Sequence, residues 1–172
     1  MTGPRPEIVA AARSWIGTPY RHQAACRGAG CDCLGLLRGV WREVIGPEPE
    51  LPPAYSMDWS EPGRDERLWR AALRHLAACD SMQAQPGQIL LFRMREGAVA
   101  KHLGLLARSG AEASFIHAYS GHGVVESPLT APWRRRVVAR FAFPAPAGPA
   151  QDVTAPKDTA RTTPTQTNKE NQ

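Results

Sequence analysis

The stretch that most constrains this chain runs from residue 30 to residue 39, where the pattern predicts the start of a buried helix. Asp32 is a residue type that caps helix N-termini, and Cys33 follows it directly. From Cys33 onward, apolar residues recur at offsets of three, four, seven, eight and eleven, the spacing of one helical face. These positions are Leu36, Leu37, Val40, Trp41 and Val44. The pattern predicts a helix from Cys33 to about Gly46 with a thiol in its first turn.

Two glycines, Gly35 and Gly39, lie one turn apart inside this predicted helix. Glycine costs about 1 kcal/mol relative to alanine in a helix interior, because the flexible backbone loses more entropy on folding. The sequence therefore predicts that another element packs closely against this part of the helix.

The thiol of Cys33 has two interpretations. At a helix N-terminus it meets the positive end of the macrodipole, which favours the thiolate and can lower the cysteine pKa from about 8.5 to roughly 3.5–7.5. The alternative is a structural thiol, since unpaired cysteines are often small buried hydrophobes. The helix alone leaves both open.

The spacing Cys26-x4-Cys31-x-Cys33 is not that of a zinc site, so no metal and no cofactor is expected.

Composition indicates an ordinary globular chain. Its 172 residues are 42% hydrophobic and 22% charged, which suits one domain with a substantial core. No segment resembles a signal peptide and none could span a membrane, so we expect synthesis in a reducing cytoplasm, with Cys26, Cys31, Cys33 and Cys79 as thiols. The net charge is +5, and Arg134-Arg135-Arg136 could meet phosphate or carboxylate. No nucleic-acid motif accompanies this cluster, so nucleic acid is not an expected partner.

The period of the apolar residues changes from helical to strand-like after Pro86-Gly87. The predicted helices are Pro6–Ile16, Cys33–Gly46 and Asp65–Ala78. The predicted strands are Ile89–Arg93, Val99–Ala107, Ser114–Tyr119, Gly123–Ser127 and Arg136–Phe143. This order indicates an α+β domain over residues 1–144, with helices packed on an antiparallel sheet. Residues 145–172 are predicted to be a disordered tail rich in Pro, Thr and Ala.

A proline-rich segment, residues 47–63, separates the second and third predicted helices. Tyr55, Met57 and Trp59 alternate within it and could lay an apolar edge on the core or on a cleft. The segment is otherwise predicted to be an ordered loop over the surface.

Two histidines, His102 and His117, lie on adjacent predicted strands. A turn centred on Ser109-Gly110 would place them directly opposite each other on one face, with Cβ atoms about 4.5–5.5 Å apart. Such a pair could bind a metal, share a hydrogen bond in the core, or act as a catalytic base and the residue that orients it. With a nearby thiol, the third option gives Cys–His–His nucleophilic catalysis. The residues alone leave the three options open.

Five stretches in a fixed order carry a resemblance to a known family. They are Gly17-Thr18-Pro19-Tyr20, Asp32-Cys33-Leu34-Gly35-Leu36, Pro86-Gly87-Gln88-Ile89-Leu90, His102-Leu103-Gly104-Leu105 and Phe115-Ile116-His117-Ala118. Over Ile8–Phe143 the chain resembles the NlpC-type cell-wall peptidases, a branch of the papain-like cysteine hydrolases. Its long segment 47–85 is similar to the phage and gene-transfer-agent branch, whose members are carried in tail structures.

This resemblance implies a papain-like α+β fold, with Cys33 as nucleophile, His102 as general base and His117 as the residue that orients the base. It implies that Tyr20 and Asp32 line the site and contact the substrate's free amine or help to hold the oxyanion. The implied substrate is the peptide stem of peptidoglycan, cut at the D-glutamyl–diaminopimelate bond, and the implied partners are phage-like tail proteins that deliver the enzyme to a cell wall.

Two positions depart from the family pattern. The family usually has Ser where this chain has Leu34, and Asp where it has Gln88. We expect Leu34 to change the shape of the cleft and Gln88 to affect only a turn. The alternative function is a structural tail-tip protein that keeps the fold without turnover, although all three catalytic positions are filled.

Overall fold

A computed structural model describes residues 3–56, 64–80 and 82–146. Within these ranges the chain forms helices α1 (Pro6–Arg13), α2 (Cys33–Val44), α3 (Arg67–His75) and α4 (Ala131–Arg134). Its strands are β1 (Ala25–Cys26), β2 (Gly30–Cys31), β3 (Ala77–Ala78), β4 (Ile89–Phe92), β5 (His102–Arg108), β6 (Ser114–Tyr119), β7 (Gly123–Pro128) and β8 (Val137–Ala142). The predicted α+β architecture is confirmed. None of the helices in the described ranges is long and apolar enough to cross a bilayer.

The main sheet has six antiparallel strands in the order β3-β8-β4-β5-β6-β7. Strands β4 to β7 follow one another as a meander, and β8 returns to pair with the free side of β4. Strands β1 and β2 form a separate hairpin just before α2. The hairpin and the meander together bring the start of α2 close to the start of β5.

The two faces of the main sheet bury different sets of side chains, because successive residues of a strand point to opposite sides. One face packs against α1, α2 and α3 in the main core, which includes Ile8, Trp15, Leu36, Val40, Leu68, Ile89, Leu91, Leu105, Ile116 and Phe141. The opposite face carries a smaller cluster of Leu90, Phe92, Leu106, Ala113, Phe115 and Leu129, against which Trp133 packs. His102 and His117 contact the aromatic rings of this second cluster.

The order of the predicted elements is confirmed, whereas several of their ends differ. Helix α3 ends at His75, before the predicted Ala78, because Ala77 and Ala78 pair with β8. Strand β5 begins at His102 and not at the predicted Val99. Helix α4 and strands β1, β2 and β3 were not predicted, because two to four residues are too few to show a period. The predicted tail lies outside the described residues from residue 147 onward, and the boundary at residue 144 stays a prediction.

The close packing predicted from Gly35 and Gly39 is confirmed. A Cβ atom at Gly35 would overlap the backbone carbonyl of Ala24, and one at Gly39 would overlap the indole ring of Trp15. Trp15 is 2% exposed, and its Nε1–H donates to a carboxylate oxygen of Glu43 at 3.0 Å. The glycines therefore let the turn after α1 and the loop before the β1–β2 hairpin pack directly on α2.

Replacing Gly39 with alanine should destabilise the fold even though alanine is the better helix former. The added methyl group collides with a buried ring, and overpacking of this kind costs about 1–3 kcal/mol. We expect Gly39→Ala to lower the free energy of unfolding, measured by urea denaturation. Combining it with Trp15→Leu, which removes the colliding ring, should make the glycine replacement less costly than it is alone. Equal costs in the two backgrounds would contradict the assigned collision.

Candidate active site

A buried carboxylate, that of Asp32, fixes the N-terminus of α2. Its Oδ1 accepts the backbone N–H of Gly35 at 2.7 Å, which confirms the predicted helix cap. Its Oδ2 accepts the backbone N–H of Gln23 at 2.7 Å and the hydroxyl of Tyr55 at 2.6 Å. Gln23 adopts a left-handed backbone conformation with φ of 62° while its N–H reaches this carboxylate. Asp32, only 3% exposed, thus joins α2 to the loop before the β1–β2 hairpin and to the proline-rich segment.

The thiol of Cys33 lies where the start of α2 meets the start of β5. Its sulfur is 3.9 Å from the carbonyl oxygen of Lys101, to which the S–H donates. The backbone amides of Leu103, Leu34 and Cys33 itself also form hydrogen bonds that favour the thiolate. Because Lys101 and Leu103 are the two neighbours of His102 in the chain, the thiol sits beside the segment that carries this histidine.

The surroundings of Cys33 do not favour a resting thiolate, the first of the two interpretations that the helix left open. Burial, followed by the negative charge of Asp32, raises the pKa of the Cys33 thiol to about 12. The backbone amides act in the opposite direction but have the smaller effect. The thiol is therefore protonated at neutral pH, and a base must remove its proton as it reacts.

The two histidines meet through their ring nitrogens. Nε2 of His102 lies 2.9 Å from Nδ1 of His117, with the rings close to perpendicular at 73°. Both are buried, at 8% and 1% exposed. Burial, followed by the effect of His117, lowers the pKa of His102 to about 3, and burial followed by His122 lowers the pKa of His117 to about 4. Both rings are thus neutral at pH 7, and the bond between them is an ordinary N–H to N contact.

The predicted register of the β5–β6 hairpin is wrong by two residues. Leu105 pairs with Ile116 rather than with Ser114, and the register is irregular between Leu106 and Arg108. A displacement of two residues leaves every side chain on its predicted face. His102 and His117 therefore share a face as predicted, although they meet diagonally and not directly opposite each other.

A residue that was not predicted, Ser127 on β7, continues the chain of hydrogen bonds. Its Oγ lies 3.0 Å from Nε2 of His117. The sequence signal that could have found it is the turn at Gly121-His122-Gly123, since this turn sets the register in which Ser127 pairs with Phe115. The histidine pair is otherwise surrounded by rings, those of Phe92, Phe115, Tyr119 and Trp133.

Tyr20 and Tyr55 approach the same carboxylate and thiol from two loops. Tyr20 forms a parallel bridge with Cys31, and its pKa is raised, first by burial and then by electrostatic effects of Cys33 and Asp32. The pKa of Tyr55 is raised by burial and by its hydrogen bond to Asp32. Of the three residues predicted to form an apolar edge, Tyr55 instead makes a polar contact, through the hydroxyl that donates to Asp32. Met57 and Trp59 lie outside the described residues.

Similarity to known proteins is found at the level of structure. The sequence matches no protein-family profile and no curated protein. An NLP/P60-family protein from Staphylococcus aureus, described as similar to a lipoprotein, matches with a TM-score of 0.55 and 19% identity, over 83% of this chain and 43% of its own. The NlpC/p60 domain of peptidoglycan hydrolase SagA matches with a TM-score of 0.52 and 23% identity, over 80% of this chain and 97% of its own. The chain has the NlpC/P60 fold.

A third match, an NlpC/P60 family protein from Bacillus cereus, has a TM-score of 0.55 and 16% identity, over 83% of this chain and 41% of its own. The chain thus spans less than half the length of the Staphylococcus and Bacillus proteins. The resemblance drawn from the five sequence motifs is confirmed for the fold. The resemblance also implied roles for five residues, and these roles stay predictions. The residues are Cys33, His102, His117, Tyr20 and Asp32.

In this NlpC/P60 fold a cavity of about 530 Å³ lies next to the first turn of α2, where Leu34 lines it. It lies between α2, α3 and the start of the proline-rich segment, and its walls include Leu34, Leu37, Trp41, Leu68, Pro52 and Leu103. Leu34 and Leu103 line the cavity while their backbone amides point toward the sulfur of Cys33. Leu34 gives this cavity an apolar wall beside the start of α2, and its effect on a substrate cleft stays a prediction.

Gln88, the second departure from the family pattern, acts in a turn as predicted. Its side-chain oxygen accepts the backbone N–H of Gln85 at 3.1 Å, and the residue is buried. The turn leads into β4 on the sheet side of the domain.

The lowered pKa values of the two histidines predict a specific loss of stability in mild acid. Unfolded histidines take up protons below their ordinary pKa of 6.5, whereas folded His102 and His117 stay neutral to about 3 and 4. The unfolded state then binds more protons, so the free energy of unfolding should fall as the pH decreases from 6.5 to 4.5, by up to about 1.4 kcal/mol per pH unit for each histidine.

Urea denaturation over this pH range measures the effect. The ion-paired carboxylates of Glu48, Glu50 and Glu126 do not interfere with this measurement, because their pKa values are lowered from 4.5 and their contribution to stability is lost at more acidic pH. The variant His117→Gln should show a shallower slope than the wild type. Parallel slopes would contradict burial of a neutral His117.

Proposed function

We propose that this chain is a cysteine peptidase that hydrolyses an amide bond in the stem peptide of peptidoglycan. The observation that carries the proposal is the position of the Cys33 thiol, at the start of α2 and against the backbone on both sides of His102. The contact between His102 and His117 holds the ring of a candidate base on the strand segment whose backbone the thiol contacts. The SagA domain that shares the fold is described as part of a peptidoglycan hydrolase, which supports the substrate class.

The hydrogen bonds determine how the base would work. Nε2 of His102 faces His117, so Nδ1 is the nitrogen left to receive the thiol proton. A neutral ring with an open Nδ1 carries its proton on Nε2 and donates it to Nδ1 of His117. His102 then acts as a general base toward Cys33, and His117 holds the ring in that tautomer.

The reaction follows from these positions. Cys33 transfers its proton to His102 and attacks the amide carbonyl, and backbone N–H groups at the start of α2 stabilise the oxyanion that forms. The imidazolium returns its proton to the departing amine, which leaves a thioester on Cys33. Water, deprotonated by His102, then releases the acid and restores the thiol.

Tyr20 and Asp32 are proposed to bind substrate near the reacting bond. The phenol of Tyr20 can donate to the oxyanion or to a substrate carbonyl. Asp32 supplies a negative charge for a free amine of the substrate, although three donors of the protein already contact its carboxylate. The net charge of +5 suits a polymer rich in carboxylates.

Two finer proposals rest on the sequence resemblance. The bond cut is proposed to be the one between D-glutamate and diaminopimelate, and the enzyme is proposed to be made in the cytoplasm and carried to the cell wall in a phage-like tail, with tail proteins as its partners. Segment 47–85, which is similar to the phage and gene-transfer-agent branch, supports the second. A catalytically silent tail-tip protein is the alternative.

The nucleophile can be tested directly on purified peptidoglycan. Cys33→Ala should abolish hydrolysis, a loss of at least about 10⁴-fold, because no other group forms the thioester. Cys26→Ala is the matched control, since Cys26 is an exposed thiol on β1 and its replacement should leave the activity unchanged. Mass spectrometry of the products identifies the bond. A wild-type protein that releases nothing from peptidoglycan would favour the silent tail-tip protein.

The role of His117 predicts an unequal set of substitutions. His117 needs to present a hydrogen-bond acceptor to Nε2 of His102, and an amide oxygen can do this. His117→Asn and His117→Gln should therefore keep far more activity than His117→Ala, which loses up to about 10⁴-fold. The measurement is kcat/KM on a muropeptide, with circular dichroism to confirm folding. Loss of activity in all three while His102→Ala stays active would reverse the two roles.

A further inference from the structure

Ser127 occupies a position from which it can control the protonation of both histidines. We infer that Ser127 is a positioning residue that keeps the proton of His117 on Nε2, an inference that rests on the proposed function. Its hydroxyl oxygen lies 3.0 Å from Nε2 of His117, and Nδ1 of the same ring faces His102. Both ring nitrogens of His117 are thus engaged by side chains of this chain.

The strands place Ser127 there with little freedom. Ser127 pairs with Phe115, and His117 with Val125, so Ser127 and His117 are diagonal neighbours on one face of the β6–β7 ribbon. The ring of His117 stands 4.3 Å from that of Phe115 and 5.2 Å from that of Trp133, measured between centroids. These rings confine the imidazole plane and leave the hydroxyl as the polar group at its outer nitrogen.

A neutral imidazole has one N–H. In the row of hydrogen bonds from His102 through His117 to Ser127, the position of the proton on one ring therefore fixes its position on the other. In one arrangement both histidines carry the proton on Nε2; His102 donates to His117, and His117 donates to Ser127. In the other, both carry it on Nδ1; Ser127 donates to His117, and His117 donates to His102. The first leaves Nδ1 of His102 open for the thiol proton, whereas the second places a proton there and blocks the base.

The hydroxyl of Ser127 stabilises the working arrangement by accepting from a buried N–H. A buried donor without an acceptor is rare and costly, whereas an acceptor without a donor is tolerated more often. Without the hydroxyl, the arrangement with protons on Nε2 leaves such a donor at His117, so the histidines should shift toward the blocked arrangement. Ser127 then acts on catalysis through His117 and His102 without touching the substrate.

The experiment compares Ser127→Thr and Ser127→Val, two β-branched side chains of the same shape that suit a strand and differ in the hydroxyl. Imidazole ¹⁵N shifts report which nitrogen carries the proton, and kinetics on a muropeptide reports activity. We expect wild type and Ser127→Thr to hold the protons on Nε2. In Ser127→Val, a larger fraction of His117 should carry its proton on Nδ1. Its kcat should fall about tenfold to a hundredfold, the usual size of an effect transmitted through a supporting residue, with little change in KM.

Ser114→Ala is the matched control. Its hydroxyl donates to Glu126 at 2.7 Å within the same ribbon, so its loss removes a similar hydrogen bond away from the histidines. Ser114→Ala should lower the free energy of unfolding, whereas its kcat and the tautomers of its His102 and His117 should match those of the wild type. A proton on Nδ1 of His117 in the wild type, or equal tautomers in Ser127→Thr and Ser127→Val, would overturn the inference. Because the ¹⁵N shifts need no substrate, they decide on Ser127 even if the protein proves inactive on peptidoglycan.

Discussion

The carboxylate of Asp32 is the interaction on which the rest of the site depends. It caps α2 through Gly35, holds the loop before the β1–β2 hairpin through Gln23, and holds the proline-rich segment through the hydroxyl of Tyr55. Each hydrogen bond to a buried charged group contributes about 1.5–3 kcal/mol, and removing the carboxylate would leave three donors without their partner at once. Asp32 therefore positions the neighbouring thiol of Cys33 through the same hydrogen bonds that stabilise the fold.

The same carboxylate helps to keep the neighbouring thiol protonated at rest, beside two neutral imidazoles. Its negative charge and burial together raise the pKa of Cys33, while burial lowers the pKa values of His102 and His117. A thiolate–imidazolium pair would be more costly here than a thiol beside a neutral ring, because both charges would be removed from water. In the proposed reaction, the proton would therefore move at the moment of attack, when the developing charges are close together and the backbone N–H groups of α2 can stabilise the negative one.

The sequence predicted those features that depend on local pattern. The face of α2, its cap at Asp32 and the close approach at Gly35 and Gly39 all follow from spacing along one helix, and the structure confirms them. The pKa of Cys33 could not be predicted in this way, because it depends on burial by β5 and on a carboxylate whose orientation is set by Tyr55, 22 residues downstream of the thiol. Contacts between distant segments leave no period in the sequence, and the same is true of Ser127.

The register of the β5–β6 hairpin shows why an error in its prediction still left His102 and His117 together. At Leu105 and Leu106, β6 pairs with β5 two residues away from the predicted register, and because side chains alternate, an even displacement preserves the face of every residue there. A displacement of one would have moved His117 to the opposite face, among the apolar side chains that pack on the helices. The diagonal placement also suits the contact better than direct opposition, since it lets an edge of one ring reach the other at 73° and joins Nε2 of His102 to Nδ1 of His117. Whether two histidines on neighbouring strands share a face therefore depends on whether the register is displaced by an even or an odd number of residues.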